Sequence, residues 1–462
     1  MSQYAHLTRE ELVARLETFE PTPAGPSRVS FVKKPKAEKP FVFKHYPTRH
    51  VALLIAYQGW HYSGLAIQHE SNPVPTVEAE LVKALEKTKL IQDGPEGGLD
   101  GSGYSRCGRT DRGVSGDGQV VDLWVRSNRT PQDGGQDLIA WKEAAEIAPP
   151  KPPPAEEQNP PKKPPLPTIP LEHPYPRLLN GVLPDSIRVI GWAPVEVEFN
   201  SRFSCKHRHY KYVFHPKPSP TSPLLDLDLM RQGAAHLLGE HDFRNFCKLD
   251  GSKQIENHNR NVLKAYFEQE GDLIVFNLIG TAFLWHQVRH VIGVLFLIGS
   301  KLERPELVRN LLDVQANPSK PTYTMGEPLP LTLYECAYEE DLDWRYGGYD
   351  GPWKSLPERD RERVKENAVG AKDILERQLE SVRQEAEVRT WQVGGALRTL
   401  HRVYGVGGGA MENTLYPTGA GNVIMTGKYK DVLERPRGET PEQVNRKWRE
   451  KGKRGYAREG EE

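Results

Sequence analysis

Apolar and polar positions follow each other along this chain in short runs that predict strands more often than helices. Residues 51–57 form an apolar run of strand length. Further strands are predicted at 103–107, 119–125, 187–194, 209–214, 262–269 and 273–279. Strands and helices do not alternate regularly, which favours an α+β fold with a mixed, mainly antiparallel sheet flanked by helices.

Helical periodicity is confined to a few segments. Thr76 is a suitable N-cap for a helix with one apolar stripe, formed by Val77, Leu81, Ala84 and Leu85. Helices are also predicted at 175–183, 229–238, 284–298 and, with breaks at Gly370 and Gly394–Gly395, at 361–402.

The composition indicates that polar segments accompany these predicted elements. The chain has 462 residues, of which 37% are hydrophobic and 27% charged. The hydrophobic share suffices for a core but lies below the usual globular share, which indicates polar tails or inserts. The proline-rich stretch APPKPPPAEEQNPPKKPPLPTIP offers few backbone donors, so it predicts a surface insert. Five segments result: an N-terminal arm (1–48), a first patterned subdomain (49–126), the insert (127–172), a second patterned subdomain (173–345) and a charged helical extension (346–462).

The charge distribution limits how nucleic acid would be bound. Formal net charge is zero, so binding would depend on local patches. Lysines alternate with phenylalanines in 28–49, and a basic cluster surrounds Trp448 in 446–454. Basic residues among aromatics suit contact with nucleic acid. An ordinary solvated tail is the alternative for the arm.

Several classes of protein are disfavoured. The four cysteines are scattered and lack zinc-binding spacing, which predicts free thiols in a reducing compartment. The first 20 residues contain several glutamates and no apolar centre, unlike a signal peptide or a mitochondrial presequence. The most apolar run, 291–298, is too short to span a bilayer. We therefore expect a soluble intracellular protein without membrane association.

The strongest candidate for chemistry is the loop sequence GRTDRGVS at 108–115. Asp111 lies between Arg109 and Arg112, whose positive charge is expected to keep the carboxyl ionised. The glycines allow a ligand close to the backbone. Such a carboxylate could be a nucleophile, a general base or a metal ligand, and a purely structural turn is the alternative.

Two further segments combine basic, aromatic and buried positions. In RFSCKHRHYKYVF (202–214), Arg208, Tyr210 and Tyr212 fall on one face of a predicted strand that could stack a base and hold phosphates. An edge strand over an aromatic core is the alternative. In GTAFLWHQVR (280–289), His286 and Arg289 lie three residues apart on a predicted helix. A buried Arg289 requires an acidic partner such as Asp111, unless it reaches solvent.

Taken together, these segments resemble the tRNA pseudouridine synthases, the family that includes the bacterial anticodon-stem enzyme. The resemblance covers residues 50–340 without the insert. It rests on YQGWHYSG (57–64) with Gln68, RTDRGVS (109–115), SRFS (201–204) followed by Arg208, Tyr210 and Tyr212, and FLWHQVR (283–289). The chain departs from the family pattern with Gln58, where Asp is common, and with His209 beside Tyr210.

The resemblance implies a role for individual residues in a cleft between the two subdomains. Asp111 would be the catalytic carboxylate, which attacks C1′, attacks C6 or removes a 2′ proton. Tyr210 would stack on the flipped base and assist proton transfer at C5, and Arg289 would pair with Asp111. Arg109 would fill the space of the extruded nucleotide. RNA contacts are expected from Arg109, Arg112, Arg202, Arg208, Lys211 and His286.

The resemblance also implies a wider context. DFRNFCKLD (242–250), WHQVRHVIGVLFLIG (285–299) and YKDVLERPRGETPEQVNRKWREK (429–451) are similar to the eukaryotic branch that modifies uridines 38 and 39 of tRNA. A homodimer without metal or organic cofactor is expected, in the nucleus and the cytoplasm. The alternatives are a catalytically silent RNA-binding protein of the same fold, the same chemistry at another tRNA position, and an unrelated hydrolase or metal-dependent nuclease.

Overall fold

A computed structural model describes most of the chain between Phe41 and Glu459. The described residues are 41–68, 73–94, 97–129, 140–147, 171–217, 224–349, 358–405, 415–417, 419, 422–424 and 428–459. The chain divides into residues 1–42 and 43–462, and every element below belongs to the second unit. The predicted basic arm, apart from its last residues, and the proline-rich stretch 148–170 lie outside the described residues.

Among the described residues, ten strands form one large sheet, and two short strands pair separately. In chain order they are β1 (Thr48–Tyr57), β2 (Ser105–Arg106), β3 (Ser115–Arg126), β4 (Trp141–Lys142), β5 (Ile187–Pro194), β6 (His207–Phe214), β7 (Gly239–Asp242), β8 (Asn259–Glu270), β9 (Leu273–Gly280), β10 (Leu331–Ala337), β11 (Leu415–Pro417) and β12 (Asn422–Ile424).

Eight helices accompany the strands in the described part of the chain. They are α1 (Val77–Lys87), α2 (Gly98–Gly101), α3 (Tyr175–Asn180), α4 (Leu227–Ala235), α5 (Gln287–Gly299), α6 (Glu306–Leu312), α7 (Glu358–Tyr404) and α8 (Pro441–Glu459). None of these helices is both long and apolar enough to cross a membrane.

The large sheet has two halves that meet at one parallel pairing. Its order is β4-β1-β3-β10-β6-β9-β8-β7, with β2 on β3 and β5 on β1. Thr332 and Leu333 of β10 pair in parallel with Ser115 and Gly116 of β3, whereas the other pairings in this sheet are antiparallel. The predicted α+β class with a mixed, mainly antiparallel sheet is confirmed. Because β5 pairs with β1, residues 187–194 belong to the first half of the sheet.

Each half has its own core. In the first half, the apolar stripe predicted for α1 packs against β1, β3 and β5. Tyr175 and Trp192 belong to the same buried cluster. In the second half, all 13 residues of α5 are buried, because α4 and α6 cover one side of the helix and strands β6 and β9 cover the other. A smaller apolar cluster, which includes Ala52, Val120, Leu333 and Cys336, joins the two halves at the boundary between β3 and β10.

The predicted elements agree with the structure where periodicity is strong. β5 has the predicted bounds, and β1, β3, β6, β8, β9, α1, α4 and α5 lie within a few residues of prediction. The predicted breaks in the long helix are wrong, since α7 runs through Gly370 and Gly394–Gly395 for 47 residues. Each glycine weakens a helix by only about 1 kcal/mol, and Arg383 and Arg389 form i, i+3 and i, i+4 ion pairs along it.

Candidate active site

The loop that carries Asp111 lies where the two halves of the sheet meet. Residues 107–114 connect β2 to β3, and the loop ends at Ser115, the residue that pairs with Thr332 of β10. The loop therefore reaches groups from both halves of the sheet.

The segment 57–65, which includes the YQGWHYSG motif, supports this loop through hydrogen bonds. The Tyr57 hydroxyl and the Thr110 hydroxyl form a buried 2.8 Å hydrogen bond. The Leu65 amide donates to the Thr110 carbonyl at 3.2 Å, and the Gly113 amide donates to the Tyr62 carbonyl at 3.3 Å. Gly64 has a φ of +94°, and a Cβ there would lie 2.8 Å from the Thr110 oxygen, so glycine is required for this close approach. The motif at 57–65 thus acts as a support for the loop.

A second set of contacts fixes the two ends of the loop. The Gln119 side chain donates to the Gly108 carbonyl at 2.8 Å. The Gly59 amide donates to the Ser115 hydroxyl at 3.0 Å. A Cβ on Gly59 would lie 2.0 Å from the Val114 carbonyl oxygen, so the two segments are in direct backbone contact. These contacts leave little freedom for the backbone on either side of Asp111.

Two side chains of the 283–289 segment approach the Asp111 carboxylate: Arg289, its predicted partner, and His286, which was predicted only to contact RNA. His286 Nε2 lies 3.5 Å and Arg289 Nη1 lies 3.9 Å from the same oxygen, Asp111 Oδ2. Arg289 is buried and its Nε donates to the Gly326 carbonyl at 2.8 Å. The Trp285 side chain also favours the ionised carboxylate and lowers the pKa of Asp111. The pairing of Arg289 with Asp111 that the sequence predicts is present.

The way in which His286 reaches the site differs from prediction. His286 is not on a helical face with Arg289; it is the N-cap of α5 and has left-handed backbone angles, φ 63° and ψ 9°. This turn directs the segment that carries Trp285 and His286 toward the loop. Asp111 therefore lies at the N-terminal end of α5, where the helix dipole favours a negative charge.

The pKa of Asp111 also differs from prediction. Burial is the largest influence and raises the pKa of its carboxyl above the ordinary value, although Arg289, the Trp285 hydrogen bond and Lys248 each lower it. Arg109 and Arg112 are exposed, and the cations that favour ionisation of Asp111 are Arg289 and Lys248, not the two flanking arginines as expected.

His286 is a neutral group at physiological pH. Burial, together with the nearby cations Arg289, Lys248 and Lys320, lowers its pKa to about 4. Its Nδ1 atom is buried and makes no hydrogen bond to a described residue. A neutral imidazole beside the carboxylate can donate or accept one proton without adding a second cation.

Tyr210 lies beside the loop on β6. Its ring makes an edge-to-face contact with Phe283, with centroids 5.2 Å apart. Its hydroxyl would be 3.9 Å from a Cβ on Gly108. Burial raises the pKa of Tyr210 well above the ordinary value, so it remains a neutral phenol that can stack and hydrogen bond. Tyr212, two residues on, supports the other wall of the site by donating to the Glu327 carbonyl at 3.0 Å.

Some residues predicted to bind RNA are used differently in the structure. The Arg208 guanidinium donates to backbone carbonyls of Cys107, Arg202, Cys205 and Thr281. Lys211 contacts the Tyr334 ring and approaches Glu270, so it faces away from Asp111. Arg112 lines the cleft, whereas Arg109 and Arg202 are exposed and are not among the residues that line it. RNA contact by any of these side chains stays a prediction.

A cleft of about 550 Å³ opens over the carboxylate. It is lined by Trp60, Asp111, Arg112, Gly113, His286, Arg289, Glu327, Pro328 and Leu329. This volume is in the range of small-ligand sites. Trp60 was part of a motif that resembles the family, but it was not predicted to line the site. The wall at 327–329 carried no sequence signal, because it is a short connection that precedes the unpredicted strand β10.

Comparison with known proteins gives concordant results. Residues 234–339 match the family described as tRNA pseudouridine synthase. The tRNA pseudouridine(38/39) synthase of Saccharomyces cerevisiae is 39% identical over 364 residues, 74% of this chain and 73% of that protein. The Homo sapiens protein of the same name is 39% identical over 325 residues, 67% of this chain and 60% of that protein. The tRNA pseudouridine synthase A of Francisella tularensis subsp. mediasiatica is 30% identical over 276 residues, 57% of this chain and 84% of that protein.

Proposed function

The chain belongs to the tRNA pseudouridine synthase family, and from this membership we propose that it isomerises uridine to pseudouridine at positions 38 and 39 of tRNA. The observation that carries the proposal is the surroundings of Asp111. Its carboxylate lines an open cleft, with His286 at 3.5 Å and Arg289 at 3.9 Å, in a chain 39% identical to relatives named for this reaction.

The chemistry defines what the site must supply. Isomerisation breaks the bond between N1 and C1′ and forms a bond between C5 and C1′. The C5 proton is lost and N1 gains a proton, so composition and oxidation state do not change. The protein therefore has to provide a carboxylate, room for the base to rotate and a route for one proton.

Asp111 is the proposed catalytic carboxylate. Attack on C1′, attack on C6 and removal of a 2′ proton all require its ionised form. Its raised pKa makes the carboxylate a stronger base and nucleophile than an exposed aspartate. Arg289 supports this role as a buried cation that its bond to the Gly326 carbonyl holds in place.

Tyr210 and His286 are the proposed groups around the base. Since its pKa is raised, Tyr210 acts as a neutral phenol, which supports stacking and a hydrogen-bonded relay more than deprotonation by a phenolate. His286 is neutral and lies in the cleft. It is therefore suited to hold a uracil carbonyl or amide while the base rotates.

Entry of the uridine requires its removal from the RNA stack. Arg112 and the half-exposed Trp60 lie at the mouth of the cleft. An arginine suits the phosphates of the flipped nucleotide, and an indole suits stacking on a base. Arg109, next to this mouth in the chain, is proposed to fill the vacated space.

Homodimer formation is proposed from the exposed apolar stripe of α7. Val393, Leu397, Leu400 and Tyr404 are spaced four, three and four residues apart, and each is at least half-exposed. Such spacing places them on one helical face suited to pack against another helix. Light scattering at micromolar concentration tests the idea: a dimer that Leu397→Glu with Leu400→Glu converts to monomer supports it, and a monomeric wild type contradicts it.

Nuclear and cytoplasmic residence stays a proposal based on the lysine clusters at 33–39 and 447–453.

Pseudouridine mapping of tRNA is the deciding experiment. The RNA is incubated with the wild-type chain, with Asp111→Ala and with Asp111→Asn, which keeps the side-chain volume. Pseudouridine at 38 and 39 with the wild type alone supports both the reaction and the carboxylate. Pseudouridine at other tRNA positions would support the proposed reaction but contradict the proposed positions 38 and 39. Tight tRNA binding without any product would support a catalytically silent RNA-binding protein.

A further inference from the structure

A turn between β5 and β6 exposes an aromatic ring to solvent. It lies close to residues 107–114, the loop that carries Asp111, which is called the catalytic loop below. Phe203 is 79% exposed, the most exposed phenylalanine in the described part of the chain. The Arg202 guanidinium lies 5.4 Å from the centroid of its ring. An exposed ring with an adjacent cation is the surface on which proteins stack bases of single-stranded nucleic acid.

The turn that carries Phe203 is rigid. Asn200 Oδ1 accepts hydrogen bonds from the amides of Arg202 and Phe203, both at 3.1 Å. The Ser204 amide donates to the Asn200 carbonyl at 2.9 Å, and its hydroxyl accepts from the Asn200 amide at 3.2 Å. Because these bonds fix the backbone, binding a base to Phe203 requires little ordering.

The turn is also anchored to the sheet. The buried Ser201 donates its amide to Asp122 Oδ1 at 2.6 Å, and its carbonyl accepts from the Tyr338 hydroxyl at 3.0 Å. Asp122 is itself held by His50 Nε2 at 2.9 Å. The hydrogen bonds from His50 and Ser201 lower the pKa of Asp122 despite its burial. The carboxylate that anchors the turn is therefore charged at neutral pH.

Arg208 links this turn directly to the active site. Its Nη2 donates to the Arg202 carbonyl at 2.7 Å and to the Cys107 carbonyl at 3.1 Å. Its Nη1 donates to the Thr281 carbonyl at 2.7 Å. Cys107 precedes Asp111 by four residues. One guanidinium thus joins the turn, the catalytic loop and the segment that leads to α5.

We propose that Phe203 stacks on an unpaired base of the RNA substrate near the target uridine, with Arg202 on a neighbouring phosphate. Arg208 is the positioning residue that sets the distance from this stacking site to Asp111. The inference rests on the proposed function and adds a substrate contact outside the cleft. RNA is favoured over a second protein because the residues beside Phe203 are Arg202, Ser204 and the exposed Lys206, whereas protein interfaces use contiguous apolar patches.

Three single variants test the stacking contact in the full-length chain. Phe203→Ala is expected to raise the Kd for tRNA about tenfold, the usual order for one stacked base. Phe203→Trp should stay close to wild type, because it keeps an aromatic face. Val197→Ala is the matched control, since Val197 is a 56% exposed apolar residue on the same connection, and its Kd should not change.

A set of substrates with single abasic positions identifies the base. The loss caused by Phe203→Ala should vanish at one abasic position of the anticodon arm and persist at the others. An unchanged Kd for Phe203→Ala, or a loss that persists on every abasic substrate, would overturn the stacking contact. A Phe203→Ala change in molar mass by light scattering would show instead that the ring contacts a second copy. A wild-type chain that forms no pseudouridine would contradict the proposed function. This result is distinct from the outcomes that contradict the stacking contact.

The role of Arg208 is tested by asking whether the effect of Phe203→Ala on tRNA binding depends on Arg208. Arg208→Lys keeps the charge but cannot reach all of these carbonyls. The single-turnover rate at saturating RNA should fall, and the Phe203→Ala penalty on Kd should shrink in the Arg208→Lys background. An undiminished penalty would show that Arg208 does not position the turn.

Discussion

Arg289 Nη1 lies 3.9 Å from Asp111 Oδ2, while its Nε is hydrogen bonded to the Gly326 carbonyl at 2.8 Å. The backbone contact fixes the guanidinium, so Asp111 faces a cation whose position does not depend on the carboxylate. Burial still prevails and raises the pKa of Asp111. The site therefore holds a basic carboxylate whose charge is only partly compensated, which a nucleophile or general base requires.

The first prediction concerns the pH dependence of the reaction. Activity requires ionised Asp111, so the rate should fall on the acid side around a pH above the ordinary aspartate pKa. Arg289→Gln removes a charge that favours ionisation, and should move this midpoint to still higher pH. Single-turnover rates at saturating RNA between about pH 4 and pH 8 provide the measurement. Arg112→Gln is the control, and its midpoint should equal that of the wild type, since Arg112 does not lower the pKa of Asp111.

The second prediction concerns the support below the loop. Tyr57→Phe removes the 2.8 Å hydrogen bond to Thr110 and should lower the free energy of unfolding by about 1 kcal/mol. The rate should fall as well, because Thr110 adjoins Asp111. Tyr62→Phe is the matched control: it removes a 2.7 Å bond to Ser186, which lies outside the loop. A similar stability loss with an unchanged rate is expected for Tyr62→Phe, and equal rates for both variants would contradict the prediction.

The third prediction concerns a glycine at the closest backbone contact of the site. Gly59→Ala places a Cβ 2.0 Å from the Val114 carbonyl oxygen and must displace the end of the catalytic loop. Loss of activity and a lower melting temperature are expected. Gly370→Ala is the control, because a Cβ there meets nothing within 4 Å in helix α7, and it should stabilise the chain by about 0.5–1 kcal/mol. Thermal unfolding and pseudouridine yield would distinguish the two.

Local pattern and tertiary environment explain which features the sequence could predict. Helix α1 could be located because its capping residue and apolar stripe lie within one short segment. Strand β10 was missed because its pairing depends on β3 and β6, which are more than 100 residues away in sequence. The pKa of Asp111 was predicted in the wrong direction, since the adjacent arginines are visible in the sequence and the burial is not. The pairing of Arg289 with Asp111 followed from motif resemblance, whereas the approach of His286 to the carboxylate and the left-handed turn at His286 required the structure.

The fourth prediction concerns the two ends of the insert. The Glu172 carboxylate is buried and accepts hydrogen bonds from the Ser127 hydroxyl at 2.7 Å and the Asn128 amide at 2.8 Å, with Arg49 3.6 Å away. These contacts join both flanks of the insert to the sheet. Replacing 148–170 by a flexible linker of about ten residues should therefore leave melting temperature and activity unchanged. Glu172→Ala leaves Arg49 buried without this carboxylate and should destabilise the fold by about 3 kcal/mol. A linker variant that unfolds as readily as Glu172→Ala would contradict this.

The fifth prediction concerns the basic face of α8. This helix packs against the loop at 251–255, where Asn445 donates to the Ile255 carbonyl at 3.0 Å and a Cβ on Gly251 would lie 2.8 Å from Trp448 Cβ. The same loop begins near Lys248, whose ammonium lies 4.4 Å from the centroid of the Trp285 ring. Trp285 precedes His286, which lines the cleft, so we expect RNA bound along α8 to extend past Lys248 toward the cleft.

Removal of 446–462 should weaken tRNA binding and flatten its salt dependence, but it also removes the packing of Trp448. A variant with alanine at the exposed positions Arg446, Lys447, Arg449 and Lys451 separates the two effects, because it keeps Asn445 and Trp448 in place. If these side chains bind phosphates, the slope of log Kd against log salt should decrease by roughly 0.7–0.9 for each phosphate that is no longer neutralised. Lys83→Ala, an exposed lysine on α1, should leave the slope unchanged. An unaltered slope in the alanine variant, together with weaker binding in the deletion, would mean that α8 acts through the loop it supports and not through its charge.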